Sequence, residues 1–171
     1  MITQLRKKEF IAEYKPKSGE TLKTIKKVME HPWHVLRSSA IGSFIGILPG
    51  AGSPIAALVS YNEGIRWAKD KSQFGKGDLR GVTASEIANN AAAPAAMIPL
   101  VTLGVPGSSP AAVIAGALML RGLNPGPELF DKEPGLVYGV FISLFFANIF
   151  MFFVGLMGNK LWIRIIAAPK S

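Results

Sequence analysis

Hydrophobic and polar residues are segregated along this chain into long alternating stretches. Charged residues are absent from three of these stretches, which cover residues 38–62, 87–120 and 134–159 and contain 25, 34 and 26 residues. Because about 18 to 20 consecutive apolar residues are enough to cross a bilayer as a helix, each uncharged block is a candidate membrane segment. The pattern predicts an all-α integral membrane protein and argues against a soluble domain.

The first uncharged block predicts a re-entrant helical hairpin over residues 38–62. Its centre, LPGAGSP at 48–54, combines proline and glycine, which both disrupt helices. Each flank has only about ten residues, or roughly 15 Å of helix, which is about half the hydrocarbon core of a bilayer. Gly42, Gly46 and Gly50 recur at every fourth position, which predicts that a second helix approaches closely.

The second block contains four prolines and is too long for one straight helix. Its centre at 102–110 (TLGVPGSSP) predicts an unwound segment within a broken transmembrane helix over 87–120. A capping-box sequence at 83–86 predicts that this helix starts near Ala84. The third block, 134–159, is rich in Phe and Leu and predicts one regular transmembrane helix.

The segments between the blocks carry the basic residues and predict the orientation of the chain. Residues 1–37 hold nine Lys and Arg residues and form a predicted cytoplasmic region, whose amphipathic helix from Thr21 suits a membrane surface or a protein partner. The hairpin keeps the loop at 63–86, with five basic residues, on the cytoplasmic side. The broken helix then places the loop at 121–133 in the periplasm. Residues 38–171 thus form one predicted membrane domain.

Composition indicates that the chain contacts lipid and not nucleic acid. The formal net charge is +8, from 19 Lys and Arg residues against 11 Asp and Glu residues, and 18% of all residues are charged. The basic residues flank the apolar blocks and do not form a stripe with stacking aromatic residues, which argues against nucleic-acid binding. The sequence contains no cysteine, so disulfides and thiolate metal sites are excluded.

The irregular centres of the first two blocks form the candidate binding site. A helix broken within the membrane exposes N–H groups at its new N-terminus, which suit a carboxylate, and carbonyls at its new C-terminus, which suit Na⁺. Nearby hydroxyls and amides can add hydrogen bonds. The alternative is that both centres only permit kinks and close helix packing. The candidate substrate- and ion-binding residues are Pro49, Gly50, Ala51, Gly52, Ser53, Asn89, Asn90, Thr102, Gly104, Pro106, Gly107, Ser108 and Ser109.

We expect no cofactor other than a transported coupling ion. Sodium is predicted near Asn89, Thr102 and Ser108, because their side-chain oxygens suit a hard cation. Protons are the alternative coupling ion. Glu86 is interpreted as a helix cap and not as a proton carrier, and Asn148 as a hydrogen-bonding contact between helices.

Sequence motifs of enzymes are missing. The segment GILPGAGSP at 46–54 lacks the lysine of a phosphate-binding P-loop, and no G-x-S-x-G elbow occurs. An intramembrane serine hydrolase that uses Ser108 or Ser109 is a remote alternative. His31 and His34 precede the apolar blocks, so neither is an obvious base for these serines.

Five motifs occur in order at a spacing that resembles the large membrane subunit of the tripartite tricarboxylate transporters, the TctA family. The resemblance runs from about Val35 to Met157. The motifs are GILPGAG at 46–52, FGKG at 74–77, GVTASEIANNA at 81–91, PLVTLGVPGS at 99–108 and GLNPGP at 122–127.

This resemblance implies a multi-pass permease of the bacterial inner membrane, driven by an ion gradient that is usually Na⁺. It also implies that the permease functions together with a small membrane subunit and a periplasmic solute-binding protein. The substrates that it implies are carboxylates, citrate among them. The family's large subunit looks like two inverted repeats, and this chain matches the second repeat. Its motifs at 49–52 and 104–108 would form half of a composite central site, and the missing first repeat would supply the other half.

Two departures from the family pattern bear on the substrate. Ser85 precedes Glu86 where the family often has proline, and 109–112 reads SPAA where the family commonly has Gly and Thr. The missing first repeat also motivates an alternative, in which the chain is a truncated membrane fragment that does not transport. A half encoded separately, or self-assembly of two copies, would instead complete the permease.

Overall fold

The computed structural model describes the backbone of residues 20–166 and the side chains of residues 21–158. Within that part of the chain every regular element is an α-helix, as the uncharged blocks predict. Residues 1–19 of the predicted basic region and residues 167–171 of the tail lie outside the described residues, as do the side chains of 159–166. The helices are α1 (Glu20–Met29), α2 (Pro32–Ile47), α3 (Gly52–Trp67), α4 (Leu79–Ala95), α5 (Met97–Leu103), α6 (Ser109–Leu120), α7 (Glu128–Lys132) and α8 (Pro134–Ile166).

Helix α1 is the amphipathic helix that the pattern from Thr21 predicts. Its last turn carries Lys26 and Lys27. Its apolar residues Leu22 and Met29 are exposed in this chain. The apolar face of α1 is therefore left open to a membrane surface or to another protein.

Helices α2 and α3 form a helical hairpin around the predicted Gly/Pro centre. The turn at 48–51 lies between them, and Gly50 and Gly52 adopt φ angles of +76° and +68°, which favour glycine. Each helix has 16 residues, or roughly 24 Å. The expected arms of about ten residues are too short, because both helices continue past the uncharged block into its charged flanks.

Small residues allow α4 to pack closely against the hairpin. A Cβ atom at Gly42 would overlap the carbonyl oxygen of Ala88, and one at Gly46 would lie 2.6 Å from that of Ala92. The close approach predicted from the glycine spacing is confirmed at these two positions. Gly50 has no atom within 4 Å of an added Cβ, so its role is in the turn.

Helix α4 starts five residues earlier than the sequence indicates, so the predicted start near Ala84 is wrong. Asp78 is the N-cap residue, and its carboxylate accepts a 2.8 Å hydrogen bond from the backbone N–H of Arg80. Thr83 lies inside the helix, where its hydroxyl donates to the carbonyl of Leu79 at 2.8 Å. In a capping box, the Ser or Thr is the N-cap residue. Asp78 already occupies the N-cap position of α4, so Thr83 cannot serve as its cap.

The second block is interrupted, as its prolines predict. Helix α4 runs through Pro94, a turn follows at Ala96, and α5 ends at Leu103 with Gly104 as its C-cap at a φ angle of +73°. Helical structure resumes at Ser109. The irregular segment at 104–108 is shorter than the predicted one, because Thr102, Leu103 and the two residues after Ser108 are helical.

The loop at 121–133 contains the short helix α7, and helix α8 begins directly after this loop. Its segment 134–158 has 25 residues with a mean hydropathy of 2.4, and among the described residues it is the one helix long and apolar enough to cross a membrane. Val140 and Leu144 of α8 pack against Met97 of α5 and Ala111 of α6. Helix α8 thus closes one side of the broken helix.

Candidate functional site

A cavity of about 580 Å³ lies where the hairpin turn, the broken helix and α8 meet. Its lining brings together the two irregular centres, which lie at 48–54 and 102–110 in the sequence. The predicted site residues that line it are Gly50, Ala51, Gly52, Ser53, Asn89, Ser108 and Ser109.

Two helix N-termini face this cavity. Helix α3 begins at Gly52 after Ala51, which makes no side-chain capping bond. Helix α6 begins at Ser109, and the hydroxyl of Ser108 accepts a 3.3 Å hydrogen bond from the N–H of Ala111. The first N–H groups of a helix have no partner within the helix, and the helix dipole is positive at this end. Two such ends at one cavity favour a negatively charged ligand.

Neutral polar side chains complete the lining. Asn89 and Ser109 are exposed, so their amide and hydroxyl groups are accessible. The side chain of Asn148 donates a 2.8 Å hydrogen bond to the carbonyl of Leu144, which leaves its own carbonyl oxygen as an acceptor. None of the described residues that line the cavity is charged. A bound carboxylate would therefore be held by dipoles and neutral donors.

Three of the predicted site residues have packing roles away from the cavity lining. Thr102 donates a 2.7 Å hydrogen bond to the carbonyl of Ile98. A Cβ atom at Gly104 would lie 2.6 Å from the carbonyl oxygen of Pro125. Gly107 is buried, and its N–H donates to the carbonyl of Ala96 at 3.3 Å.

The structure does not bring the remaining predicted residues into the cavity lining either. These are Pro49, Asn90 and Pro106. Asn90 follows Asn89 on α4, and adjacent helix residues do not share a face. The paired asparagines are thus separated into one at the cavity and one outside it.

The cavity also includes residues that the sequence did not single out as ligands. Asn148 was predicted to be a contact between helices, yet its side chain lines the cavity. Asn148 is the one amide residue inside the third uncharged block, apart from Asn159 at its end. This isolated polar position is the sequence signal for a ligand contact. The apolar lining residues have no comparable sequence signal, because they shape the cavity without offering a polar group to a ligand. The additional lining residues are Pro54, Ala93, Pro94, Met97, Pro110, Ala111, Ile114, Leu144 and Asn148.

Both histidines lie at the other end of the hairpin. His34 contacts the carbonyl of Arg80 at 2.9 Å through Nε2, and His31 lines a separate cavity there. No described histidine lines the cavity that contains Ser108 and Ser109. The arrangement therefore provides these serines with no imidazole base.

The chain is similar to one protein family over its whole length and to two relatives over about three quarters of it. A family model described as "Tripartite tricarboxylate transporter TctA family" matches residues 1–171. An uncharacterized 52.8 kDa protein in the TAR-I ttuC' 3' region of Agrobacterium vitis is 37% identical over 135 residues, covering 79% of this chain and 27% of that protein. An uncharacterized protein in the TAR-II ttuC' 3' region of the same organism is 38% identical over 128 residues, covering 75% and 53%. No solved structure matches the chain. The chain thus spans about a quarter of one of these relatives and about half of the other.

Proposed function

The chain belongs to the tripartite tricarboxylate transporter TctA family, and from this membership we propose that residues 38–171 form the second-repeat part of a carboxylate permease. The family is a transporter family and not an enzyme family, so the chain is a membrane component of transport. We further propose that the permease is a multi-pass protein of the bacterial inner membrane. Its substrates are tricarboxylates or other carboxylates.

The observation that carries this proposal is the pair of helix N-termini at one uncharged cavity. The positive dipole ends of α3 and α6 lie there, with the backbone N–H groups of Ser53 and Ser109 in their first turns, and Asn89 adds an amide. Pro54 and Pro110 have no N–H, and the N–H of Ala111 is bonded to Ser108. Such groups bind a carboxylate without a salt bridge, so the ligand can also leave the site. Glycine at 50 and 52 lets a ligand approach the backbone without a Cβ atom in the way.

The coupling ion and the partners belong to the same proposal. Sodium binds near Asn89 and Ser108, whose oxygens are at the cavity, while Thr102 lies outside its lining. One repeat forms one wall of a site, and alternating access requires two parts that move against each other. The permease therefore includes the first repeat. The tripartite family adds a small membrane subunit and a periplasmic solute-binding protein to the proposal.

Uptake by the assembled permease tests this function. The chain is produced together with a first repeat, a small subunit and a binding protein from a related system, and citrate uptake is measured in vesicles with and without a Na⁺ gradient. We expect Na⁺-dependent uptake that Asn89→Ala lowers by about tenfold, because one hydrogen bond to a charged ligand is lost. The matched variant Asn90→Ala should retain uptake.

Two results would contradict the proposal. The first is an equal loss of uptake in Asn89→Ala and Asn90→Ala, with equal amounts of both proteins in the membrane. It would show that Asn89 has no special role at the cavity. Uptake that needs the first repeat but is unchanged without residues 38–171 would remove this chain from the transport pathway.

A further inference from the structure

A second cavity, here named the hairpin-base cavity, lies at the end of the α2–α3 hairpin opposite the turn. It has a volume of about 490 Å³ and lies between the end of α1, the start of α2, the end of α3 and the start of α4. Unlike the cavity at the turn, it is lined by basic and titratable side chains. These are His31, His34, Arg37, Lys69 and Arg80, with Glu30 as the one acid.

Two carboxylates near this cavity are already engaged by their own arginines. Asp78 lies 2.6 Å from the guanidinium of Arg80. Glu63 lies 3.2 Å from the guanidinium of Arg66, and it accepts a 2.9 Å hydrogen bond from the indole N–H of Trp67. Neither carboxylate forms an ion pair with the remaining basic residues of the cavity. The described lining thus keeps a positive excess, since it contains Arg37 and Lys69 against the single acid Glu30. Outside the lining, hydrogen bonds from Trp67 and Arg66 lower the pKa of Glu63, and the charge of Arg37 lowers it further.

Arg37 is held in place but not satisfied. Its Nη2 donates a 3.2 Å hydrogen bond to Nδ1 of His34, and its guanidinium lies 5.5 Å from the ring centroid of Trp67. Its Nε atom is buried and has no hydrogen-bond partner among the described residues. A buried donor without a partner is uncommon and costs free energy. The guanidinium is therefore held at the cavity by these contacts, with its accessible part facing the lining.

The start of α2 adds a further anion-binding feature to the same cavity. Pro32 opens the helix, its first turn contains no acidic residue, and His31 makes no side-chain capping bond. The positive end of the helix dipole therefore faces the cavity with no carboxylate in its first turn, and Glu30, two residues before the helix, is the one acid among the described lining residues. Trp33 and Trp67 also line the cavity and are 80% and 66% exposed. Exposed tryptophans of this kind are typical of the level of lipid headgroups.

We propose that the hairpin-base cavity binds a phosphate group, with Arg37 as the principal donor and Lys69 as a second one. The phosphate comes from the headgroup of an anionic phospholipid or from free inorganic phosphate, and both present the same oxygens to the guanidinium. Binding gives the half-buried guanidinium of Arg37 a charge-assisted partner at the cavity and ties α2 to the ends of α3 and α4. This site is independent of the proposed carboxylate cavity.

Intrinsic tryptophan fluorescence of the full chain in detergent reports binding, because two tryptophans line the cavity. The protein is titrated separately with inorganic phosphate, with a short-chain phosphatidylglycerol and with the matching zwitterionic phosphatidylcholine. We expect saturable binding of phosphate or phosphatidylglycerol that Arg37→Gln weakens by about tenfold, because a charge-assisted hydrogen bond is lost. Arg121→Gln, at an exposed arginine at the end of α6, is the matched control and should bind as the unaltered chain does.

Lys69→Gln provides a second variant at an exposed position, so it is tolerated even if Arg37→Gln does not fold. It should weaken binding by about threefold, since Lys69 contributes charge and not a buried contact. Saturation by phosphatidylglycerol and not by phosphate assigns the site to a lipid headgroup, and the reverse result assigns it to free phosphate. The proposal is overturned if neither ligand saturates, or if folded Arg37→Gln and Lys69→Gln bind as tightly as Arg121→Gln.

Discussion

Glycine at two positions of α2 decides how closely this helix approaches α4. Gly42 lies against Ala88 and Gly46 against Ala92, one helical turn apart on the same face. Ala88 and Ala92 are fully buried in the resulting contact. Because the backbones touch, a single methyl group is enough to separate the helices. The close contact in turn fixes the position of Asn89 relative to the hairpin turn.

Gly42→Ala tests this contact. We expect it to lower the free energy of unfolding by about 1–3 kcal/mol, because the added methyl overlaps the backbone of Ala88. Gly116→Ala on α6 is the control, since nothing lies within 4 Å of its added Cβ, and it should be neutral or stabilising by up to about 1 kcal/mol. Thermal unfolding in detergent micelles measures both. Equal stability of the two variants would mean that α2 and α4 are not in backbone contact.

His34 makes stability depend on pH. Burial lowers the pKa of His34 below its ordinary value of 6.5, the hydrogen bond to the carbonyl of Arg80 opposes this, and the charge of Arg37 lowers it further. A histidine with a lowered pKa must release its proton on folding, so its contribution to stability is complete above about pH 6.5. This contribution decreases as the pH falls from 6.5 towards the pKa of the folded chain.

His34→Gln should therefore remove part of the acid sensitivity. The unaltered chain is expected to lose more thermal stability than His34→Gln between pH 7.5 and pH 5, with melting followed by circular dichroism. His31→Gln is the control, because His31 lines the same cavity from an exposed position. If all three proteins lost stability in parallel, another group would be responsible for the pH dependence.

Helix ends account for the main differences between sequence and structure at the scale of elements. The positions of the breaks followed from proline and glycine, because these residues act locally and need no tertiary context. The start of α4 does not follow from the capping box at 83–86, because Asp78 caps the helix before that segment is reached. Asp78 followed by Arg80 provides an N-cap and an ion pair at once. The later capping box at 83–86 was therefore absorbed into the helix.

Substitution of Asp78 and of Glu86 distinguishes the observed start of α4 from the start that the capping box predicts. Asp78→Ala should lower the free energy of unfolding by about 0.5–2 kcal/mol, which is the usual cost of losing an N-cap side chain. Glu86→Ala should change stability little, because Glu86 lies at an exposed position within α4. Chemical unfolding in mild detergent compares the two. A larger loss for Glu86→Ala than for Asp78→Ala would place the helix start where the sequence pattern indicated.

The whole molecule joins the two irregular centres through packing that the sequence pattern does not encode. Gly50 and Ser108 could be selected from the positions of the Gly/Pro interruptions in the sequence, since broken membrane helices are typical of transporter sites. Which of Asn89 and Asn90 faces the cavity depends on how α4 is rotated about its axis in the folded chain. Asn148 required the position of α8, which rests on contacts of Val140 and Leu144 with the broken helix. Local chemistry therefore indicated the candidate residues, and long-range packing decided which of them share a cavity.

The central claim is that a carboxylate binds between the N-termini of α3 and α6, and protection of a single cysteine tests it most directly. The natural sequence has no cysteine, so Ser109→Cys introduces a unique thiol at the cavity, and Thr102→Cys introduces one outside its lining. In the assembled permease, citrate should slow maleimide labelling of Ser109→Cys and leave Thr102→Cys unchanged, while uncharged glycerol should protect neither. Labelling of Ser109→Cys at the same rate with and without saturating citrate, in a permease that still transports it, would contradict the account.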